Sequence, residues 1–168
     1  MQTARAQISA LRPRLVFAAL AIVAFGLLAA GLILGEVVHL DPCYLCNFQR
    51  FLYIVVALLS LGACLINRWP RFWGALTGLA ALWCVAAAAE QSWMQFFPDQ
   101  VKECGLNDPT LVETIVNWLS DMWPAMFMVT GLCTVKDWVF LGLSLANWSA
   151  LCFLALAGVA VWQVLRRG

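Results

Sequence analysis

Residues 41–66 read Asp41-Pro42-Cys43-Tyr44-Leu45-Cys46-Asn47-Phe48-Gln49-Arg50, then FLYIVVALLSLGACLI. The second half is unbroken apolar sequence. From Phe48 to Ile66 it comes near the ~20 residues a helix needs to cross ~30 Å of hydrocarbon. A backbone in lipid must satisfy its own hydrogen bonds, so this run is expected to be a helix. The first half sets a Cys-x-x-Cys pair at the mouth of that helix. Two thiols three residues apart are a redox unit or half a metal site. The mouth of a span can meet both a soluble partner and one dissolved in lipid.

Three more runs share this character. With residues 48–66, residues 15–34, 72–89 and 148–165 predict four spans, separated on one side by loops at 35–47 and 90–147. The chain is 64% hydrophobic and 11% charged, whereas soluble domains are about 45–50% apolar and about 25% charged. Its 168 residues suit one domain. The expected fold is therefore an all-α membrane protein, a four-helix bundle over residues 1–168. A net charge of +1 supplies no basic field for nucleic acid. The nine Trp suit interfacial belts. The first run is too long for a signal peptide, and Glu36-Val37-Val38-His39 follows it where a cleavage site would have small residues. It is expected to remain as an anchor.

Charge predicts the orientation. Arg5, Arg12 and Arg14 precede the first span, Arg68 and Arg71 lie between the second and third, and Arg166 and Arg167 follow the fourth. All nine acids fall on the other side, where the long loop has only Lys102 and Lys136. The positive-inside rule then puts both termini in the cytoplasm and the Cys-x-x-Cys outside. Within the long loop, Leu111, Ile115, Trp118, Leu119 and Met122 recur at helical spacing, with Glu113, Asn117, Ser120 and Asp121 opposite. This pattern predicts a short helix lying in the membrane interface.

The seven cysteines fall into two groups. Cys64, Cys84 and Cys152 lie within spans and are expected to pack as small hydrophobes. Cys43, Cys46, Cys104 and Cys133 lie on the outer side, where disulfides persist. Four cysteines allow three pairings. Cys43 with Cys46 and Cys104 with Cys133 is the pairing that gives two exchangeable bonds. No His follows Cys46 as c-type haem attachment needs, and no second Cys-x-x-Cys completes a zinc site; no metal is expected. A non-enzymatic scaffold with structural loop disulfides is the alternative. A Cys-x-x-Cys bond closes so small a loop that it removes little chain entropy, which favours a reactive bond.

Asp41 as N-cap and Pro42 as first helical residue would put Cys43 and Cys46 in the opening turns, where orphan N–H groups favour thiolate. Arg50 lies one turn deeper on the same face. A cation just inside a membrane is costly unless used; it could act on Cys46 or on an oxygen of a bound acceptor.

These features together resemble the DsbB family of bacterial inner-membrane disulfide-generating proteins. The resemblance covers nearly the whole chain. It rests on four spans, Pro42-Cys43-x-x-Cys46 with Arg50 four residues on, and a long loop with Cys104 and Cys133. The run Lys136-Asp137-Trp138-x-Phe140-Leu141-Gly142-Leu143 is similar to that family's sequence after its last loop cysteine. Vitamin K epoxide reductase-like proteins combine similar parts, but their Cys-x-x-Cys typically sits on the last core helix. The resemblance implies a relay. A periplasmic thioredoxin-fold, DsbA-like dithiol oxidase attacks the Cys104–Cys133 disulfide at Cys104, and Cys133 exchanges with Cys43–Cys46. Cys46 then passes electrons to ubiquinone or menaquinone near Arg50. Some family members carry His where this chain has Gln91, which can hydrogen-bond a quinone carbonyl but cannot titrate. Gln95 is a second expected quinone contact. Glu90 and His39 are expected to be interfacial polar residues.

Overall fold

The computed structural model describes residues 2–66, 69–100, 109–136 and 138–165. Among the described residues there are six α-helices and one hairpin: α1 Gln2–Val38, α2 Tyr44–Ile66, α3 Pro70–Phe96, α4 Leu111–Met122, α5 Pro124–Phe127, β1 Val139–Phe140, β2 Leu143–Ser144 and α6 Leu145–Leu165. A single 3₁₀ turn, Pro98–Gln100, follows α3. Among the described residues, four helices are long and apolar enough to cross a membrane: Pro13–Val38 of α1, and α2, α3 and α6. The fold is the expected four-span bundle.

The spans outrun their apolar cores. α2 begins at Tyr44 rather than 48, α3 continues to Phe96 rather than 89, and α6 begins at Leu145 rather than 148. Reading apolar runs stops at the first polar residue. A helix can continue where its polar side chains turn inward and find partners. Gln91 and Gln95 do so and are buried, so both belong to α3 and not to a loop.

α1 lies along α2, α2 along α3 and α3 along α6, while α1 barely touches α6. The α3–α6 seam is close because its residues are small: a Cβ on Gly74 would stand 3.1 Å from the Ala160 carbonyl oxygen. Phe17, Phe48, Val56 and Phe153 fill the centre of the bundle. Ile22, Leu58, Leu79, Leu154 and Trp162 point outward, as lipid-facing residues should.

One end of the bundle carries Arg14 and Arg71. The other carries the Cys-x-x-Cys and the long loop. Within that loop α4 starts at a capping box: Glu113 N donates to Thr110 Oγ1 at 3.3 Å, and Thr110 N donates to Glu113 Oε2 at 2.6 Å. α4 buries Val116 against α2 and exposes Leu111, Trp118 and Met122, the arrangement of an interfacial helix. Further on, Val139 pairs with Ser144 and Phe140 with Leu143 across a two-residue turn. Leu141 (φ 52°) and Gly142 (φ 79°) both take left-handed conformations, as a type I′ turn requires. Trp148 Nε1 donates to Phe140 O at 3.1 Å and ties this hairpin to α6.

Candidate redox site

The site starts at the N-terminus of α2. Cys43, not Asp41, caps the helix: its carbonyl accepts from Asn47 N at 3.0 Å. Its sulfur takes the place of a capping oxygen and accepts from Cys46 N at 3.4 Å. The expected Asp41 cap fails because the residues before Cys43 have another task. The Pro42 carbonyl accepts from Thr130 N at 3.0 Å and from Gly131 N at 3.2 Å, so the segment before Cys133 crosses the mouth of α2. Gly131 allows that crossing, because a Cβ there would collide with the Asp41 carbonyl oxygen.

The crossing sets Cys133 against Cys43, and the two side chains hydrogen-bond. Cys43 Sγ also donates to Cys46 Sγ at 3.0 Å. Three sulfurs from two distant segments thus converge. Cys43 and Cys133 are buried, and Cys46 is half-buried. The Cys43 thiol is pushed well above its ordinary value, first by the bond with Cys133, then by that with Cys46, then by burial. It therefore holds its proton, with Cys46 placed as acceptor. Cys104 lies outside the described residues, as do Lys102 and Asp137.

Polar side chains surround the sulfurs. Gln91 Nε2 donates to Cys46 Sγ at 3.0 Å, and Gln91 Oε1 accepts from Gln49 Nε2 at 2.8 Å. Arg50 Nη1 donates to Asn47 Oδ1 at 3.1 Å and to Met126 O at 3.0 Å. Asn47, fully buried, donates to Phe127 O at 2.8 Å and Met128 O at 3.1 Å. Asn47 and Arg50 together hold the end of α5 over the mouth of α2. Gln95 Nε2 donates to Val135 O at 3.2 Å, while its buried Oε1 has no hydrogen-bond partner among the described residues.

Beside Cys46 opens a cavity of about 250 Å³, lined by α1, α2, α3, α6 and the loop after Cys133. Leu27, Gly31 and Leu34 give it an apolar wall, and Cys46, Arg50, Gln91 and Gln95 give it a polar end. Tyr53 and Ser149 also line it, their hydroxyls 3.5 Å apart. Cys152, expected only to pack, faces this cavity too. Cys84 is buried in the core and Cys64 is half-buried. Glu90 and His39 are exposed. Sequence reading missed Asn47, Gln49, Tyr53, Gly131 and Ser149. Its available signal was the run Asn47, Gln49, Arg50, three polar residues in the first turns of an apolar helix.

Residues 13–163 match the protein-family model "Disulfide bond formation protein DsbB". The chain belongs to the DsbB family. Its relatives include proteins named Disulfide bond formation protein B. That of Dechloromonas aromatica is 42% identical over 151 residues, covering 90% of this chain and 92% of the relative. That of Aromatoleum aromaticum is 38% identical over 158 residues, covering 92% and 93%. That of Paracidovorax citrulli is 37% identical over 156 residues, covering 92% and 88%. This DsbB-family chain is thus a multi-pass bacterial membrane protein of disulfide bond formation, and its chemistry is thiol oxidation. The DsbB match takes in Cys43, Cys46, Cys104 and Cys133, together with the residues that line the cavity.

Proposed function

We propose that the protein reoxidises a soluble thioredoxin-fold, DsbA-like dithiol oxidase and delivers the electrons to membrane quinone. The observation that carries this reading is the convergence of Cys133, Cys43 and Cys46, with Cys46 opening onto the cavity. A thiolate of the reduced partner attacks Cys104 of the Cys104–Cys133 disulfide. A partner–Cys104 bond forms and Cys133 leaves as thiolate. The partner's second thiolate then displaces Cys104, so the partner departs oxidised. Cys133 attacks Cys43 of the Cys43–Cys46 disulfide, and Cys46 leaves as thiolate. Cys104 then attacks Cys133 and restores its bond, which returns Cys43. The electron pair of the partner dithiol now rests on Cys43 and Cys46.

The cavity suits a planar cyclic dicarbonyl with an apolar tail. Its wall is hydrocarbon, and its polar end has Cys46, Arg50 and the Gln95 oxygen, which has no partner among the described residues. Arg50 and Gln95 would hold the head group, and α1 the start of the tail. A bound quinone accepts two electrons and two protons and leaves as quinol. The arginine-rich end of the bundle supports an orientation with both termini in the cytoplasm and the four cysteines on the periplasmic side of the inner membrane.

A thiol count tests the reading. Purified, fully reduced protein in detergent, mixed anaerobically with a short-tailed ubiquinone or menaquinone analogue, should fall from seven thiols to three. Cys64, Cys84 and Cys152 would be the three that remain, and Cys46→Ser should block the change. No change with either quinone refutes the proposal and favours loop disulfides that serve only structure.

A further inference from the structure

Gln49 and Gln91 form a buried pair of carboxamides on adjacent helices, against the sulfurs. Gln49 Nε2 donates to Gln91 Oε1 at 2.8 Å. Gln91 Nε2 in turn donates to Cys46 Sγ at 3.0 Å and to Cys43 Sγ at 3.5 Å.

A carboxamide has two ends of nearly equal size and opposite polarity: the NH₂ only donates and the oxygen only accepts. Beside a sulfur the two ends act oppositely. An N–H stabilises a thiolate, whereas oxygen lone pairs repel it. Packing alone cannot tell the ends of Gln91 apart, but the NH₂ that Gln49 presents to it can. A reversed Gln91 would set two NH₂ groups face to face and turn its oxygen toward Cys46.

We propose that Gln49 is a positioning residue that locks Gln91 with its N–H toward Cys46, making Cys46 the sulfur that holds charge when the Cys43–Cys46 bond opens. The inference rests on the reading that electrons leave from Cys46. It assigns Gln91 to the sulfur first, since its oxygen is held by Gln49 and its nitrogen by Cys46. Neither amide titrates, so the lock keeps its sense across the physiological pH range. The titratable and charged groups around Cys46 come from several elements. Cys43 bonds to it directly, Cys133 acts on it through charge, and Arg50 lies one turn away with Glu36 of α1 acting on it. Asp41, Lys136, Tyr53 and Cys152 stand on the cavity wall.

The test reads the thiolate of Cys46 without any quinone, as its alkylation rate in reduced protein, with Cys46→Ser as blank. Gln49→Glu replaces the donor with an acceptor. The introduced carboxylate should take the Gln91 N–H and turn its oxygen to the sulfur. At neutral pH the alkylation rate should fall about tenfold to a hundredfold, the worth of one hydrogen bond to a charged group. As pH drops and the carboxylate gains a proton, it donates again, so the ratio of variant to wild-type rate should climb. Gln49→Met should lower the rate less, and its ratio should stay flat with pH. If Gln49→Glu fails to fold, Gln91→Glu serves instead, because it still accepts from Gln49 but cannot donate to the sulfur when ionised. It should show the same loss and the same acid recovery. A wild-type rate in the glutamate variant, or a loss with no acid recovery, overturns the proposal. Quinone reduction measured in parallel separates the two readings. If wild-type protein reduces no quinone yet the alkylation pattern holds, the acceptor assignment fails and the positioning role stands.

Discussion

Gly131→Ala is the sharpest probe of how the two redox segments are joined. Gly131 is absent from the left-handed region, so alanine costs nothing there in backbone conformation. The added methyl has nowhere to go: it meets the Asp41 carbonyl oxygen and comes within 2.9 Å of its carbon. The segment must lift from Pro42 and give up the bonds from Thr130 N (3.0 Å) and Gly131 N (3.2 Å). At about 1 kcal/mol net for each bond, the docked arrangement loses about 2 kcal/mol, or roughly thirtyfold in population. The effective concentration of Cys133 at Cys43 should drop by the same factor. It can be measured in Cys46→Ser, Cys104→Ser protein as the glutathione ratio that half-forms the Cys43–Cys133 bond. The Cys43–Cys46 bond, closed within one turn of α2, should keep its equilibrium. If Gly131→Ala leaves the Cys43–Cys133 equilibrium within about twofold of the parent, crossing at Pro42 is not what brings the sulfurs together.

Other perturbations follow from the same geometry. Asn47→Ala strips the Phe127 and Met128 carbonyls of their donor and should cost about 2 kcal/mol or more in unfolding experiments in detergent; a loss under about 0.5 kcal/mol would mean α5 is held otherwise. Arg50→Ala removes the single nitrogen, Nη1, that donates to both Asn47 and Met126, together with the charge, so quinone turnover should fall about tenfold, and unchanged kinetics would leave Arg50 a purely peripheral charge. In reduced protein Cys43 should be slow to alkylate at neutral pH, and Cys133→Ala should speed it by removing the largest cause of its raised value. Because the reduced fold holds that proton more tightly than the unfolded chain, its stability should decline as pH rises past the ordinary thiol value of 9.0; a flat stability curve there would contradict the buried thiol.

The bundle was legible because each span carries an uninterrupted apolar run, and length alone then fixes helix and topology. Their ends were not, since Gln91 and Gln95 continue α3 only by virtue of partners on α2 and the loop, Cys46, Gln49 and Val135. α4 could be read from its 3.6-residue period, whose face needs no distant partner to declare itself. The cap of α2 was misread because Asp41-Pro42 has good local propensity, while the competing use of the Pro42 carbonyl comes from residues 130 and 131. Nothing in the spacing of Cys43 and Cys133 announces their contact; only the family resemblance suggested it. Gln49 escaped notice beside Arg50. A charge in a span demands explanation at once, whereas an amide shows its purpose only when its partner is seen.

α1 leans on α2 and hardly meets α6, yet both line the cavity. On the proposed reading, the slot between them is the acceptor's way in from the bilayer. A lipophilic acceptor can enter sideways and leave its tail in the bilayer, so tail length should matter little to recognition. Supply is then a two-dimensional affair: what counts is acceptor molecules per lipid, not per litre. Diluting the membrane with inert lipid should slow turnover as surely as removing the acceptor, while diluting the whole suspension with buffer should not.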